Sequence, residues 1–241
     1  MEGGIRLRSK IWKIVNRLLV NPRTKGLDSP FMILDRNFGS GRGTPIDRKL
    51  IMDFLAVETA DLGSNLKVLE FGDKIFSERY LPDSNHYQFN FLEGQCPVES
   101  HDKKEVQGDL TQRNATPPQF DLIIATQLLG FTENPFIAAI GLIDLLSPGG
   151  LIIGTEPFCS PVSKYDDERW GDYFRFTSKG VLKVFSDDRI DEVKVTPLGN
   201  WETSLSIYKG FCLEDNLVLS QTTDPSYASN IGYVVRRLNN V

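Results

Sequence analysis

Several apolar runs in this chain end in an acid, an amide or a glycine, a pattern that places polar groups at the ends of buried strands. Leu66 to Leu69 leads into Glu70-Phe71-Gly72, and His86 to Leu92 contains Asn90. Glu105 to Leu110 closes on Asp109-Leu110, Phe120 to Thr126 is followed by Gln127, and Leu151 to Thr155 is followed by Glu156. Each type has a distinct use. An acid binds an amine or a hydroxyl, and a glycine lets a ligand come close to the backbone. An acid or amide about twenty residues beyond the first strand commonly meets a ribose, and Asn90 falls at that place. Asp109 can accept from an exocyclic amine such as that of adenine, with Leu110 against the ring. The same Asp109 could equally close its strand as an Asx turn.

The elements that must carry these residues alternate. Thr44 and Pro45 are expected as N-cap and first turn of a helix through Ile46, Leu50, Ile51, Phe54 and Leu55. Asn134 and Pro135 open a helix to Leu146, which Ser147-Pro148-Gly149-Gly150 stops. Thr177 to Phe185 reads as a third helix, and Ile190 to Thr196 and Ile231 to Arg237 as strands. Strands alternating with helices predict a mainly parallel α/β sheet, with a ligand crevice at the carboxyl ends of the strands where strand order reverses. Gly72-Asp73-Lys74 lacks the G-x-G-x-x-G turn, and Asp73 would repel a pyrophosphate, so a nicotinamide dinucleotide is disfavoured. The glycine-rich stretch Gly39 to Thr44 lacks the P-loop pattern and reads as a flexible turn.

The chain has 241 residues, 40% of them hydrophobic, and a net charge of −5. This is ordinary globular composition, and its acidity argues against nucleic acid as a partner. Residues 1–25 carry seven Lys and Arg against Glu2 alone, a net +6, which leaves −11 for the remainder. On a helix, Arg6, Lys10, Lys13 and Arg17 form a basic stripe beside Leu7, Ile11, Ile14, Val15 and Leu18. Such a helix either packs on its own domain or touches an anionic membrane or an acidic protein. The stretch is too interrupted by charge for a signal peptide, and no apolar run reaches the roughly 20 residues of a membrane span. Three widely separated cysteines without a C-x-x-C pair, and only two histidines, give no metal-ligand pattern. A reducing, cytoplasmic setting is expected.

Over residues 38 to 238 the order of motifs resembles class I S-adenosylmethionine-dependent methyltransferases. Phe120-Asp121-Leu122-Ile123-Ile124-Ala125-Thr126-Gln127-Leu128-Leu129, continuing to Leu145-Leu146-Ser147-Pro148-Gly149-Gly150-Leu151-Ile152-Ile153, is similar to the family's fourth strand, helix, Pro-Gly-Gly turn and fifth strand. Trp170-Gly171-Asp172-Tyr173-Phe174-Arg175-Phe176-Thr177, Arg42 to Arg48 and Gly199-Asn200 resemble a subgroup found among bacterial glycan and glycosyltransferase genes. The resemblance implies a Rossmann-like three-layer sandwich with a mostly parallel seven-stranded sheet and an antiparallel last strand. It implies a basic N-terminal helix and connector over 1–27 and a methyltransferase-like domain over 28–241.

By position, the resemblance puts Glu70, Gly72 and Asp73 beside the methionine part of the cofactor S-adenosylmethionine. Asn90 then faces the ribose, Asp109 and Leu110 the adenine, and Thr126 and Gln127 the sulfonium. The family's E-x-G-x-G turn is here Glu-Phe-Gly-Asp-Lys, and its ribose acid is Asn90. The implied activity is methyl transfer to a small-molecule or glycan-linked hydroxyl, with no metal. A hydroxyl acceptor needs a general base, for which Glu156, Asp166, Asp167, Glu168 and Asp172 are candidates, Asp172 and Glu156 foremost. Asp172 sits among aromatics suited to stacking on a sugar face; the alternative is that it pairs with Arg175 in a structural loop. The altered turn also leaves open a methyltransferase-like protein that binds without catalysing.

Overall fold

The computed structural model describes residues 32–239, so the helix expected over residues 1–27 lies outside the described residues. The chain first forms α1 (Ile46–Thr59), β1 (Lys67–Phe71), the short α2 (Ile75–Tyr80) and β2 (Asn85–Phe91). Next come β3 (Val98–Ser100), β4 (Glu105–Gly108), β5 (Phe120–Thr126), α3 (Pro135–Asp144) and β6 (Leu146–Pro157). It ends with α4 (Lys164–Asp167), α5 (Ser178–Val184), β7 (Ile190–Leu198), α6 (Trp201–Lys209) and β8 (Asn230–Arg237). The strands make one sheet in the order β3-β4-β2-β1-β5-β6-β8-β7.

Strands β4, β2, β1, β5 and β6 run parallel, and β8 lies antiparallel between β6 and β7. The sheet therefore has eight strands rather than the expected seven. The extra one, β3, is a three-residue edge strand antiparallel to β4. It is too short for a period-2 pattern to stand out in the sequence. From β1 the chain moves outward to β2 and β4, then returns to β5 on the other side. The order thus reverses between β1 and β5, and the crevice of an open α/β sheet lies there.

Alternation along the strands separates two cores. Leu69, Ile123, Ala125 and Ile152 face α3, which buries Ala138, Ala139, Leu142 and Ile143, with Val181 and Phe185 alongside. Val68, Leu122, Ile124 and Ile153 face Ile51, Phe54 and Leu55 of α1 and Phe76 of α2. Fully burying one such aliphatic side chain contributes about 1.5–3 kcal/mol. Helix α3 starts as its sequence implies: Asn134 Oδ1 accepts from Ile137 N at 3.2 Å, and Pro135 takes the position whose N–H would go unused.

One local expectation is corrected, and one helix has no counterpart in the sequence reading. Thr44 does not cap α1; Pro45 holds the cap position, and Thr44 donates its N–H and hydroxyl to Glu214 at 2.8 and 3.0 Å. Helix α6 was not legible as a helix because its faces are inverted. It buries Thr203, Ser204 and Ser206 with Ile207 as the one apolar residue turned inward, while Trp201, Leu205 and Tyr208 are exposed, so no apolar stripe marks the buried face. Its start rests on Asn200, whose Oδ1 accepts from Glu202 N and Thr203 N at 2.9 and 3.2 Å.

Gly154 in β6 lies against the Tyr233 ring and 2.5 Å, measured from an ideal Cβ, from the Ala125 carbonyl oxygen. Gly154→Ala should therefore overpack the sheet and lower stability by about 1–3 kcal/mol. A urea unfolding midpoint unchanged from wild type would show that this contact is not tight.

Candidate active site

A cleft of about 1160 Å³ opens at the carboxyl ends of the parallel strands. Glu70, Gly72, Asp73, Asn90, Asp109, Leu110, Thr126 and Gln127 all line it, as does Asp172. Glu156 does not, and neither histidine does.

Each strand end has its own local chemistry. Gly72 has φ +93° and no heavy atom within 4 Å of where a Cβ would stand, so the backbone is bare on the cleft side. Asp73 beside it is exposed. Glu70 is buried at 1% exposure and accepts from Phe76 N and Ser77 N at 3.1 and 2.7 Å. It thereby anchors the first turn of α2. Burial raises its carboxyl above the ordinary range, and the Ser77 and Phe76 donors pull partly back. Asn90 is half-buried, and among the described residues its side-chain amide has no hydrogen-bond partner.

Asp109 does close an Asx turn. Its Oδ1 accepts from Thr111 N at 2.8 Å and the Thr111 hydroxyl at 2.7 Å, and its Oδ2 accepts from Gly94 N at 3.2 Å. Burial alone would raise this carboxyl, but those donors outweigh it and hold it below the ordinary value. One lone pair on Oδ2 stays free to accept from a ligand. Leu110 is packed beneath α3, where Gly141 leaves room for its carbonyl.

Thr126 and Gln127 form the floor at the end of β5. Gln127 has φ +52°, a left-handed conformation that costs a side chain of its type of order 1–3 kcal/mol. It is held by its N–H to the Thr155 carbonyl at 2.6 Å. The next three residues turn sharply, and Glu156 secures them. Glu156 Oε1 accepts from Leu129 N at 2.9 Å and Leu128 N at 3.3 Å, and Oε2 accepts from Gly130 N at 3.0 Å. The Tyr233 hydroxyl donates to it at 3.4 Å. Glu156 has no exposed surface. Its expected role as a base is thus corrected: the carboxylate is sealed under the floor and occupied by backbone amides. Burial pushes its pKa up to about 7 against those donors.

Asp172 reaches the cleft, but its carboxylate is already engaged. Arg175 donates to both oxygens at 2.5 and 2.9 Å, and Ser163 N donates at 2.8 Å. The Asp172 side chain is 1% exposed. Pairing with Arg175, the structural alternative read from the sequence, is the arrangement found. Around it stand exposed aromatics: Trp170 meets Phe91 edge to face at 6.4 Å, and Arg169 lies 3.5 Å over the Tyr165 ring. Asp47 at the start of α1 and Glu133 also line the cleft, and nothing in the sequence separates Asp47 from an ordinary first-turn acid.

No family model and no curated protein matches the chain. Solved structures do. A Galdieria sulphuraria protein named for sarcosine dimethylglycine methyltransferase activity is 11% identical, with a TM-score of 0.51 over 79% of this chain and 86% of that one. The [4+2]-cyclase SpnF is 12% identical, with a TM-score of 0.50 over 82% and 84%. These likenesses show a mostly parallel α/β sheet of the methyltransferase type. Because one neighbour is named a cyclase, the reaction has to be argued from the site.

Glu156 makes a pH-dependent contribution with a definite sign. The folded protein binds its proton more tightly than the unfolded chain, so stability falls as pH rises from 4.5 to about 7. Wild type should lose roughly 3 kcal/mol relative to Glu156→Gln across that window, read from unfolding curves at several pH values. A constant gap between the two would contradict it. Asp172→Ala should strip Arg175 of its partner and expose the 160–175 segment to limited proteolysis; unchanged cleavage would show that the pair does not hold it.

Proposed function

We propose that the protein is an S-adenosylmethionine-dependent methyltransferase whose acceptor is a small-molecule or glycan-linked hydroxyl. The observation that carries this reading is the bare backbone at Gly72, set at the sheet's switch point between the unpartnered amide of Asn90 and the floor at Thr126-Gln127. The donor set fits the cofactor part by part. Asp109 has a free lone pair for the adenine amine and Leu110 a flat apolar contact. The Asn90 amide can both donate to and accept from ribose hydroxyls. Gly72 admits the chain of the methionine part, and Asp73 offers its carboxylate to the amine.

Charge supports the same reading. Cleft-lining acids include Asp47, Glu70, Asp73, Glu93, Asp109, Glu133, Asp166 and Asp172, against Arg48, Arg169 and Arg175. An acid-rich cleft attracts a ligand with a sulfonium and an ammonium, and repels nucleic acid. Bound there, S-adenosylmethionine supplies an electrophilic methyl group. The chain's own work is to align an acceptor with it and to exclude water. Trp170 and Tyr173 at the rim offer rings to the flat face of an acceptor, and the Asp172–Arg175 pair holds that rim in place. Residues 1–27 would carry the basic helix that docks the domain on an anionic membrane or an acidic partner, in a cytoplasmic setting.

A second reading, a methyltransferase-like binding protein without catalysis, is favoured by one observation: the carboxylates of both Glu156 and Asp172 are consumed by protein donors.

Calorimetric titration with S-adenosylhomocysteine should give saturable binding, and Asp109→Ala should weaken it about tenfold, the effect of losing one well-placed hydrogen bond. An absence of binding at millimolar ligand would overturn the proposal. Binding without transfer to any hydroxyl acceptor would favour the second reading.

A further inference from the structure

Most carboxylates that face the interior of the cleft are taken. Glu70 is held by the amides of α2, Asp109 by Thr111 and Gly94, and Asp172 by Arg175. Asp47 differs. It lines the cleft, is half-buried, and is met by backbone amides alone, from Arg48 N to Oδ1 at 2.9 Å and from its own N–H. Among the described residues no side chain hydrogen-bonds to or forms an ion pair with its carboxylate.

The position of Asp47 is also rigid. The preceding Gly39–Thr44 stretch, which reads as flexible in the sequence, is pinned. Arg42 donates to Asp215 at 2.5 Å and to the Gly210 carbonyl at 3.2 Å, Thr44 is held by Glu214, and Pro45 bridges Cys212. Below it, Ile46 packs on Ile207 and Phe211, and Ile51 packs on the β1–β5 face of the sheet. On its cleft side Arg48 lies 5.4 Å over the ring of Phe76, a residue of α2 just beyond the Gly72 turn. The start of α1 is therefore a fixed part of the wall of the cleft that Gly72 and Gln127 also line.

We propose that Asp47 is the catalytic base of the cleft. The inference rests on the methyltransferase reading above and adds to it the residue that handles the acceptor's proton. Asp47 Oδ2 takes the proton of the acceptor hydroxyl while that oxygen forms its bond to the methyl carbon. The carbon–sulfur electron pair stays with sulfur, so the positive charge on sulfur is lost as the proton arrives on the carboxylate. Burial supports the role by raising the Asp47 carboxyl above its ordinary value against the pull of the Arg48 amide and guanidinium, which makes it a stronger base.

As the base, Asp47 would stand beside the transferring methyl and feel the charge there. Sinefungin carries a protonated amine there, whereas S-adenosylhomocysteine is neutral at that point. Calorimetry of the full chain should show that Asp47→Asn weakens sinefungin by about tenfold and leaves S-adenosylhomocysteine within about twofold, while Asp47→Glu keeps the wild-type preference. Equal losses for both ligands would make Asp47 a structural acid of α1 and overturn the proposal, as would no loss for sinefungin. If wild type bound neither ligand, the methyltransferase reading itself would fall, and this inference with it.

Discussion

The shape of the cleft depends on one buried carboxylate. A charged or protonated acid sealed in an apolar interior is costly unless its oxygens are matched by donors. Glu156 takes three from successive backbone amides, those of Leu128, Leu129 and Gly130. Those amides belong to a sharp turn after β5 that has no ladder to join, so each side satisfies the other. Support passes outward from this turn. With it fixed, Gln127 stays in its left-handed conformation at the floor, and the Gly130 carbonyl accepts from Tyr173 N and Phe174 N at 2.9 and 3.1 Å. That tether holds the aromatic segment whose next link is the Asp172–Arg175 pair. The Tyr233 hydroxyl joins β8 to the same carboxylate.

The opposite wall is built by different means. Helix α1 is packed on the sheet by Ile51, Phe54 and Leu55, but the segment that leads into it, Arg42 to Thr44, is fixed by ionic and polar contacts to residues 210–215. Gly39 adopts φ +88° and lies against the Phe211 backbone, with an ideal Cβ 2.5 Å from its carbonyl oxygen, so this glycine is needed for close approach rather than for mobility. Floor and wall are thus both rigid, and the rim between them carries exposed rings. A preorganised, acid-rich cleft of this kind suits a reaction in which alignment and removal of one proton are the main tasks.

Much of this was legible in the chain. Phe120–Thr126 reads as a buried strand and is one, and Asn134-Pro135 opens α3 as its residue types require. The strand-end residues Glu70, Gly72, Asn90, Asp109, Thr126 and Gln127 do come together, because a parallel sheet collects its carboxyl ends on one side. What the sequence could not convey was where each carboxylate points. Glu156 and Asp172 have the residue type of a base, yet their lone pairs are spent on backbone amides and on Arg175. Pairings such as Thr44–Glu214 and Arg42–Asp215 join residues about 170 positions apart, and no local pattern announces them. Helix α6 escaped because it buries hydroxyl groups that bond to Ser229 and Tyr227 instead of an apolar stripe.

The central claim is that the strand-end cleft holds the cofactor with its sulfur over Thr126 and Gln127. A crystal structure of the protein with S-adenosylhomocysteine tests it most directly. The account predicts adenine beside Leu110 and Asp109, ribose hydroxyls on Asn90, and the amino acid portion over the bare backbone of Gly72. Ligand density elsewhere on the molecule, or a cleft that stays empty at saturating ligand, would contradict it.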